Sequence, residues 1–452
     1  MFRLHYNLLK LARPAALTCV AALAGLRHAD AQAQDLNADA PEAWNVHAQS
    51  TYIWQDKPSF SAAYTGPNSL LAQGETGYSF SGSLAFGWRA WTGGELYFDP
   101  EVVQGKAFSG LHGLGGTVNG ELQKTAGTSP TFYRARLFLR QTWNLDGAPL
   151  KRDSDMNQLA GTVSGRRLVL TAGNLALNDI FDNNAYAHDA RSQFMNGALV
   201  DNGAWDFAAD ARGYTWGAAI EYIDGDWALR YGRFMQPQAS NGQPLDTRLF
   251  DHYGDQVEIE HGHQWRGQDG KVRLLAFRNR ARMGSFEDAL RDAQNNGGVP
   301  DLARVRREHS KIGVGLNLEQ GLLEGIGMFA RASWNDGGTE TYSFTEIERA
   351  LSLGATVGDQ PWQRAGDLLG VALTRNALGQ SHRDYLAAGG LGAFIGDGAI
   401  DYHPEQTVES YYQFGLGHGV QLTFDYQHII NPAYNHARGP VDVGLIRVHG
   451  QY

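Results

Sequence analysis

The chain contains 452 residues, carries a formal net charge of −10 and has one cysteine, Cys19. A single cysteine excludes an internal disulfide and any site built from several thiolates. The acidic balance argues against nucleic acid as a partner.

Residues 1–33 have the features of an export signal. Basic residues precede an apolar stretch, 14–26, that is too short to span a bilayer, and small residues at Ala31 and Ala33 offer a cleavage site. We therefore expect export through the periplasm, cleavage after Ala33 and a single domain over residues 34–452.

Apolar residues alternate with small or polar residues through the rest of the chain. Between Tyr78 and Trp88, large apolar residues fill most even positions, and Ser, Ala or Gly fills the odd ones. This period of two places alternate side chains on opposite faces of a strand. No apolar run after residue 26 approaches the roughly 18–20 residues of a transmembrane helix, so a membrane-spanning chain of this kind must form a closed barrel. The predicted strands are 44–54, 77–88, 94–103, 132–143, 157–174, 212–222, 226–235, 255–265, 270–280, 310–320, 325–335, 341–353, 366–376, 405–416, 419–429 and 441–452.

The strand count depends on residues 157–174, where the pattern is ambiguous. A hairpin turning at Gly165 gives seventeen strands, whereas one bent strand gives sixteen. Sixteen is favoured because short turns and long loops then alternate regularly, as in outer-membrane barrels. Short turns are expected at 89–93, 223–225, 266–269, 321–324 and 417–418, and long loops at 55–76, 104–131, 175–211, 236–254, 281–309 and 377–404. The predicted fold is an all-β, transmembrane antiparallel β-barrel of about 16 strands, with long outer loops and short periplasmic turns.

The face opposite the aromatic residues is expected to line the barrel interior. On strand 132–143, Ala135 and Leu137 are assigned outward and three arginines inward; strand 94–103 contributes inward acids. Guanidinium and carboxylate groups can hydrogen-bond the hydroxyls of a sugar. The expected substrate-binding residues are Glu95, Glu101, Arg134, Arg136 and Arg140, and the further pore-lining residues are Tyr97, Asp99, Glu258, Glu260, Glu405, Glu409 and Tyr411. The alternative is that these charges pair across strands and only keep the channel wet and rigid.

The third long loop, 175–211, is a candidate constriction because it is rich in acids and aromatic residues. Its expected constriction residues are Asp179, Asp182, Asp189 and Arg191. A calcium site at these acids is the alternative to a hydrogen-bonded loop, but their spacing does not match the EF-hand pattern. We expect no metal, no cofactor and no enzymatic activity, since no nucleophile elbow or HExxH helix is present.

Several sequence phrases resemble the carbohydrate-selective porins of the OprB type across essentially the whole mature chain. One is Glu95-Leu96-Tyr97-Phe98-Asp99-Pro100-Glu101; the others lie at 64–70, 136–142, 181–189, 425–427, 431–435 and 438–441. The resemblance implies a sixteen-stranded channel in the cell outer membrane that passes glucose and other sugars passively. It also implies that the inward charges of strands 94–103 and 132–143 belong to the channel wall.

Three functions are therefore compared. The first is a carbohydrate-selective porin whose partners are sugars and outer-membrane lipid. The second is a general or ion-biased diffusion porin, and the third is a surface-attachment or enzymatic barrel. The sequence leaves monomer and homotrimer both open. It also leaves unassigned the segment 281–309, whose ends are rich in arginine and match no family phrase.

Overall fold

The computed structural model describes residues 41–344 and 346–452, so the predicted export signal lies outside the described residues. Sixteen antiparallel strands close into one barrel, in which the first strand pairs with the last. The barrel strands are β1 Trp44–Lys57, β2 Glu75–Trp91, β3 Gly94–Lys106, β4 Thr131–Asn144, β7 Arg166–Leu175, β8 Thr215–Asp224, β9 Trp227–Met235, β10 Tyr253–Trp265, β11 Gln268–Met283, β12 Arg307–Leu323, β13 Ile326–Asn335, β14 Arg349–Val357, β15 Leu368–Ala377, β16 Glu405–Gly417, β17 Val420–Ile430 and β18 Val441–Gln451. The predicted all-β barrel of sixteen strands is confirmed.

Short elements occupy the connections between barrel strands. Strands β5 Pro149–Arg152 and β6 Gly161–Ser164 form a separate two-stranded sheet. The α-helices are α1 Gly197–Val200, α2 Phe286–Asn296 and α3 Gln380–Ala387, and 3-10 turns lie at Phe108–Leu111, Leu177–Asp179, Leu302–Val305 and Pro432–Tyr434. None of the helices in the described residues has the length and apolar content needed to cross a lipid bilayer.

Burial follows the two-residue period of the sequence. On β2, Phe86 and Trp88 are 38% and 56% exposed, whereas Ser79 and Ser81 between the larger residues are 2% and 1% exposed. An apolar side chain on the outer wall of a barrel faces lipid, and the opposite face can be polar. The apolar exposed face is therefore the outer wall, and the small polar face points inward.

The two ends of the barrel differ in the length of their connections. Two-residue turns such as Arg266–Gly267 and His418–Gly419 lie at one end, and their positive φ angles of 53° and 77°, and of 53° and 73°, fit tight hairpins. The opposite end carries long connections such as 107–130, 176–214 and 378–404. We call these the short-turn end and the long-loop end.

Two predicted strands are wrong. Residues 157–174 do not form one bent strand, because β6 folds back on β5 in a local hairpin and the barrel strand begins only at Arg166. This connection, 145–165, is consequently long although it lies at the short-turn end. The strand predicted at 341–353 begins instead at Arg349, because the N–H groups of residues 342–344 donate to Asp206 rather than to a neighbouring strand.

The predicted inward orientation of Arg134 is also wrong. Asp99 pairs with Arg136 and Pro100 pairs with Arg134, so Ala135 is an extra residue in β4. Pro100 has no N–H to give to the ladder, which favours a bulge at this point. The bulge reverses the alternation, so that Ala135 is fully buried and Arg134 is exposed, 5.1 Å from the ring centroid of outward-facing Trp216.

Candidate solute-binding cavity

The long connection 176–214 lies inside the barrel and is held there by carboxylates of the inner wall. Glu258 on β10 accepts a 2.7 Å hydrogen bond from the backbone N–H of Asp182. Glu409 on β16 accepts from the N–H groups of Met195 and Asn196 at 2.5 and 3.0 Å. These contacts come from strands far apart around the barrel, so the segment crosses the interior.

Asp182 is the centre of the buried network that fixes this segment. Its carboxylate accepts from the N–H and the side-chain amide of Asn202 at 2.6 and 2.7 Å, and from the amide of Asn317 at 2.6 Å. The guanidinium of Arg331 lies 3.4 Å away. Asp182 is fully buried, so it braces the loop and does not face a solute.

Other long-loop segments are held inside the barrel in the same way. Glu405 accepts from the N–H groups of Gly115, Gly116 and Ala433 at 2.8, 3.0 and 2.8 Å. Tyr411 is 2% exposed and packs edge-on against Phe194 of the third loop, with ring centroids 5.0 Å apart.

The expectation of an open lumen is therefore corrected for several residues. The predicted pore-lining residues that are buried under folded-in segments are Tyr97, Asp99, Glu258, Glu405, Glu409 and Tyr411. Glu260 is different, because it keeps some exposure and pairs with Arg230 and Arg273 at 3.4 and 2.6 Å.

A cavity of about 440 Å³ remains between the folded-in loops at the long-loop end. Its wall is formed by β4, by the connections 107–130 and 176–214, and by residues near Phe344 and Phe394. The charged side chains of its lining are Glu121, Lys124, Arg136, Asp179, Asp189, Arg191, Asp201, Asp210 and Arg212. The volume is within the range of small-molecule sites.

Two arginines of the cavity are fixed by carboxylates. Arg136 forms a two-pronged ion pair with Asp179, with nitrogen–oxygen distances of 2.7 and 2.6 Å. Arg191 reaches Glu121 at 2.9 Å and Glu101 at 3.0 Å. Glu101 is itself buried, so it positions Arg191 from behind. Paired charges of this kind leave outer N–H groups and oxygen lone pairs for the hydroxyls of a solute.

Apolar rings complement the charges of the cavity. Phe207 and Phe344 pack together with ring centroids 4.8 Å apart. The ammonium of Lys124 lies 5.3 Å from the ring centroid of Phe394. Burial lowers the pKa of Lys124 to about 8, although Asp206, Asp210 and Glu346 favour its charged form.

A second charged cluster lies nearer the short-turn end, around Glu95. Arg89, Arg140 and Arg152 lie 3.0, 4.0 and 3.8 Å from the Glu95 carboxylate. The connection 145–165 covers this cluster, since Arg140 donates to the carbonyl of Asn157 at 2.9 Å. The side-chain amide of Asn157 also donates to the carboxylate of Asp99 at 2.9 Å. The N–H of Leu159 donates to the hydroxyl of Tyr97.

The five residues expected to bind substrate are thus divided among three places. Arg136 lines the cavity and Glu101 supports it, whereas Glu95 and Arg140 belong to the second cluster and Arg134 is outside the barrel. Of the expected constriction residues, Asp179, Asp189 and Arg191 line the cavity.

Sequence reasoning missed several residues of the lining, chiefly Glu121, Lys124, Asp210, Arg212 and Tyr214. All of them lie in irregular connections of the structure; the prediction placed Arg212 and Tyr214 on strand 212–222, but β8 begins only at Thr215. The only available signal was the presence of charged residues in the second and third long loops.

Comparison with known proteins assigns the chain to a family. The family model described as "Carbohydrate-selective porin, OprB family" matches residues 68–452. The high-pH structure of Pseudomonas putida OprB superposes with a TM-score of 0.67 at 14% identity, covering 91% of this chain and 94% of that one. The outer-membrane channel DcaP of Acinetobacter baumannii superposes with a TM-score of 0.50 at 9% identity, covering 90% and 97%. No curated protein sequence that was compared matches the chain.

The closed barrel with loops folded into its interior defines an outer-membrane porin. More narrowly, the chain belongs to the OprB family of carbohydrate-selective porins. Its family and fold are those of channel proteins rather than enzymes, and its location is the cell outer membrane.

Proposed function

We propose that this porin lets glucose-type sugars diffuse passively across the outer membrane and binds them weakly in the cavity beside Arg136. The observation that carries the proposal is the combination of the Arg136–Asp179 and Arg191–Glu121 pairs with the rings of Phe207 and Phe344 in one 440 Å³ cavity. Hydroxyl groups fit the first set and an apolar sugar face fits the second. Weak binding suits a channel, because a solute held too tightly would not leave.

The test is single-channel conductance in planar bilayers. Glucose, a disaccharide and an uncharged non-sugar of similar size are titrated in turn. We expect saturable block by a sugar and no saturation with the non-sugar. Sugar entry into protein-loaded liposomes should need only a concentration gradient.

Arg136→Gln is the informative substitution. Loss of a charge-assisted hydrogen bond costs roughly 1.5–3 kcal/mol, so we expect the half-blocking sugar concentration to rise about tenfold or more. The matched control is Arg134→Gln, since this arginine is on the same strand but on the outer wall. Equal sugar block in wild type, Arg136→Gln and Arg134→Gln would show that sugars do not bind in the cavity beside Arg136.

A general or ion-biased diffusion porin is the second candidate. It is favoured by the three arginines that surround the one carboxylate of Glu95. In that case Arg140→Gln should change the ratio of anion to cation permeability, and flux of uncharged solutes should depend on size alone. Saturable block by sugar would contradict it.

A homotrimer embedded in outer-membrane lipid is proposed for the assembled channel. The exposed outer wall offers aromatic and aliphatic surface to lipid and to neighbouring subunits alike. Native mass spectrometry of the protein extracted in mild detergent measures the number of chains. A single-chain species at all concentrations would exclude the trimer.

A further inference from the structure

Exposed arginines extend the outer wall of the barrel at the long-loop end. On β11, outward-facing Leu274 and Ala276 are followed by Arg278, Arg280 and Arg282 at the next three outward positions. Outward and exposed positions at the same end of β14 and β15 are occupied by Arg349 and Arg375. We call Arg278, Arg280, Arg282, Arg349 and Arg375 the rim arginines.

The rim arginines are poorly neutralised. Arg280 approaches Glu308 only to 3.8 Å, and Arg278 donates to the hydroxyl of Ser310 at 3.3 Å. Among residues 41–344 and 346–452, no carboxylate forms an ion pair with Arg282, Arg349 or Arg375.

Arginines close to the rim arginines are paired, so the unpaired state is a local property. On the same face, Arg233 binds both oxygens of Asp255 at 2.7 and 2.8 Å. In the adjoining loop, Arg306 binds Glu340 through two nitrogens, each at 2.8 Å.

The rim arginines lie at the edge of the apolar outer wall. Leu274 lies two outward positions from Arg278 toward the short-turn end, and Ile312 and Leu351 pair in register with Arg278 and Arg375. These three apolar side chains are 57%, 50% and 54% exposed. Trp334 pairs in register with Arg349 and is 40% exposed, as expected for an aromatic side chain at a membrane interface. The guanidinium groups therefore stand at the level where lipid headgroups begin.

Asp336 is another carboxylate on this part of the outer wall. Asp336 is exposed beside Trp334, but its oxygens accept the N–H groups of Ile312 and Gly338 at 2.8 and 3.3 Å. At this end of the wall, the five rim arginines outnumber the carboxylates of Glu308 and Asp336, although the whole chain is acidic.

We propose that the rim arginines bind the phosphate groups of anionic lipid in the outer leaflet. A planar guanidinium matches phosphate oxygens with two parallel hydrogen bonds, and basic clusters beside an apolar membrane surface attract anionic headgroups. From β11 to β15 the surface spans four strand spacings, about 19 Å at roughly 4.8 Å each, which is wide enough for more than one phosphate. This site is on the opposite side of the barrel wall from the solute cavity and does not depend on the proposed transport function.

The test is native mass spectrometry of the full mature protein in detergent, titrated with bisphosphorylated lipid A. Arg349→Gln/Arg375→Gln and Arg278→Gln/Arg282→Gln remove two charges each. One arginine near a membrane surface contributes about fivefold to affinity, so we expect each double variant, which lacks two, to bind about 25-fold more weakly.

The matched control removes two exposed arginines elsewhere. Arg266 lies on the β10–β11 turn at the short-turn end, 4.6 Å from the ring centroid of Trp265, and Arg291 pairs with Asp288 on α2. Arg266→Gln/Arg291→Gln should bind lipid A like wild type. Folding of every variant is checked by its heat-modifiable mobility in SDS gels.

Two further titrations distinguish recognition of the lipid's phosphate groups from apolar binding of the lipid and from binding of free phosphate. The same lipid with its phosphates removed should bind wild type and rim variants equally weakly, and millimolar inorganic phosphate should not reproduce the binding. Wild-type affinity in both rim variants, or an equal loss in the control, overturns the proposal. A changed number of chains with unchanged lipid binding also overturns it and makes this surface a subunit interface.

Discussion

The inward carboxylates serve as acceptors for backbone N–H groups of loops that lack their own secondary structure. Glu258, Glu405 and Glu409 do so from the barrel wall, and Glu346 does so for the N–H groups of residues 393–395. Each carboxylate offers two oxygens, and a buried N–H without a partner is costly. Acids in a barrel interior can therefore be structural even where they align like a pore lining.

Lys124 should give the channel a pH-dependent ion preference. Its pKa of about 8 means that the side chain is positive at pH 7 and mostly neutral at pH 9. Loss of this charge beside Asp206, Asp210 and Glu346 makes the cavity more negative. We expect the reversal potential in a KCl gradient to shift toward cation preference between pH 7 and 9.

The Lys124→Met variant is the control for this shift. It keeps the packing against Phe394 but has no proton to lose, so its reversal potential should be nearly constant over the same range. A shift of wild-type size in Lys124→Met would assign the titration to another group.

Asp206 and Lys311 form a buried pair whose two members should be strongly coupled. They lie 2.9 Å apart, and Asp206 also accepts the N–H groups of residues 342–344. Burial alone would raise the pKa of Asp206, but Lys311 and these donors hold it below its usual value. Asp206→Asn leaves Lys311, which is 1% exposed, without its counter-charge. We expect the free energy of unfolding to fall by about 3–5 kcal/mol. The change should be seen as a lower melting temperature and a noisier open-channel current.

Asp206→Asn/Lys311→Met tests the coupling. Removing both charges should recover part of the lost melting temperature, since no buried charge is left unpaired. If the double variant is less stable than Asp206→Asn by the full effect of Lys311→Met alone, the two residues act independently.

At the scale of elements, the strands form the barrel wall, and the connections between them determine how much space is left inside it for a solute. The segment 176–214 crosses the interior, and the connection 145–165 covers the Glu95 cluster from the short-turn end. Because these two segments contact the barrel wall at different depths, the cavity and the Glu95 cluster are separate sites along the barrel axis.

Deletion of residues 149–164 should expose the Glu95 cluster at the short-turn end of the barrel. The carbonyl of Ala148 already accepts the N–H of Gly165 at 2.8 Å, so the two ends can be joined without moving β4 or β7. The deletion removes Arg152, Asn157 and Leu159. We expect higher single-channel conductance, measured in planar bilayers, with the half-blocking sugar concentration unchanged. A loss of sugar block together with a higher conductance would place solute binding at Glu95 instead.

For the whole molecule, closure of the barrel depends on the pairing of its first and last strands. Beyond the end of β18, Tyr452 and Ala48 exchange two backbone hydrogen bonds of 2.8 Å. Deleting Tyr452 removes both bonds, worth about 1–3 kcal/mol together, and leaves part of β1 unpaired. We expect less folded protein in the membrane and a lower melting temperature.

Tyr452→Phe separates the backbone from the side chain. It keeps the hydrogen bonds and an aromatic ring, so it should assemble like wild type by heat-modifiable mobility in SDS gels. Normal assembly of the deletion variant would show that the pairing of β1 with β18 does not require Tyr452.

The prediction from sequence was strongest where structure depends on near neighbours. The alternation from Tyr78 to Trp88 predicted both faces of β2 correctly, because a strand places every second side chain on one side whatever its partner. It failed at Arg134, where the missing N–H of Pro100 on the neighbouring strand permits a bulge that reverses the alternation. Pro100 was visible in the sequence, but the residue that would bulge was not.

The sequence by itself determined the barrel and the polar character of its interior. These follow from local alternation and from the requirement that a chain in lipid pair all its backbone groups. Only the tertiary structure decided which inward charges face a solute. Glu405 and Glu409 meet backbone donors roughly 290 and 214 positions away in the chain, and Arg136 meets Asp179 only because a loop folds inward. No local pattern encodes such contacts, because they depend on the paths of irregular segments through the closed barrel.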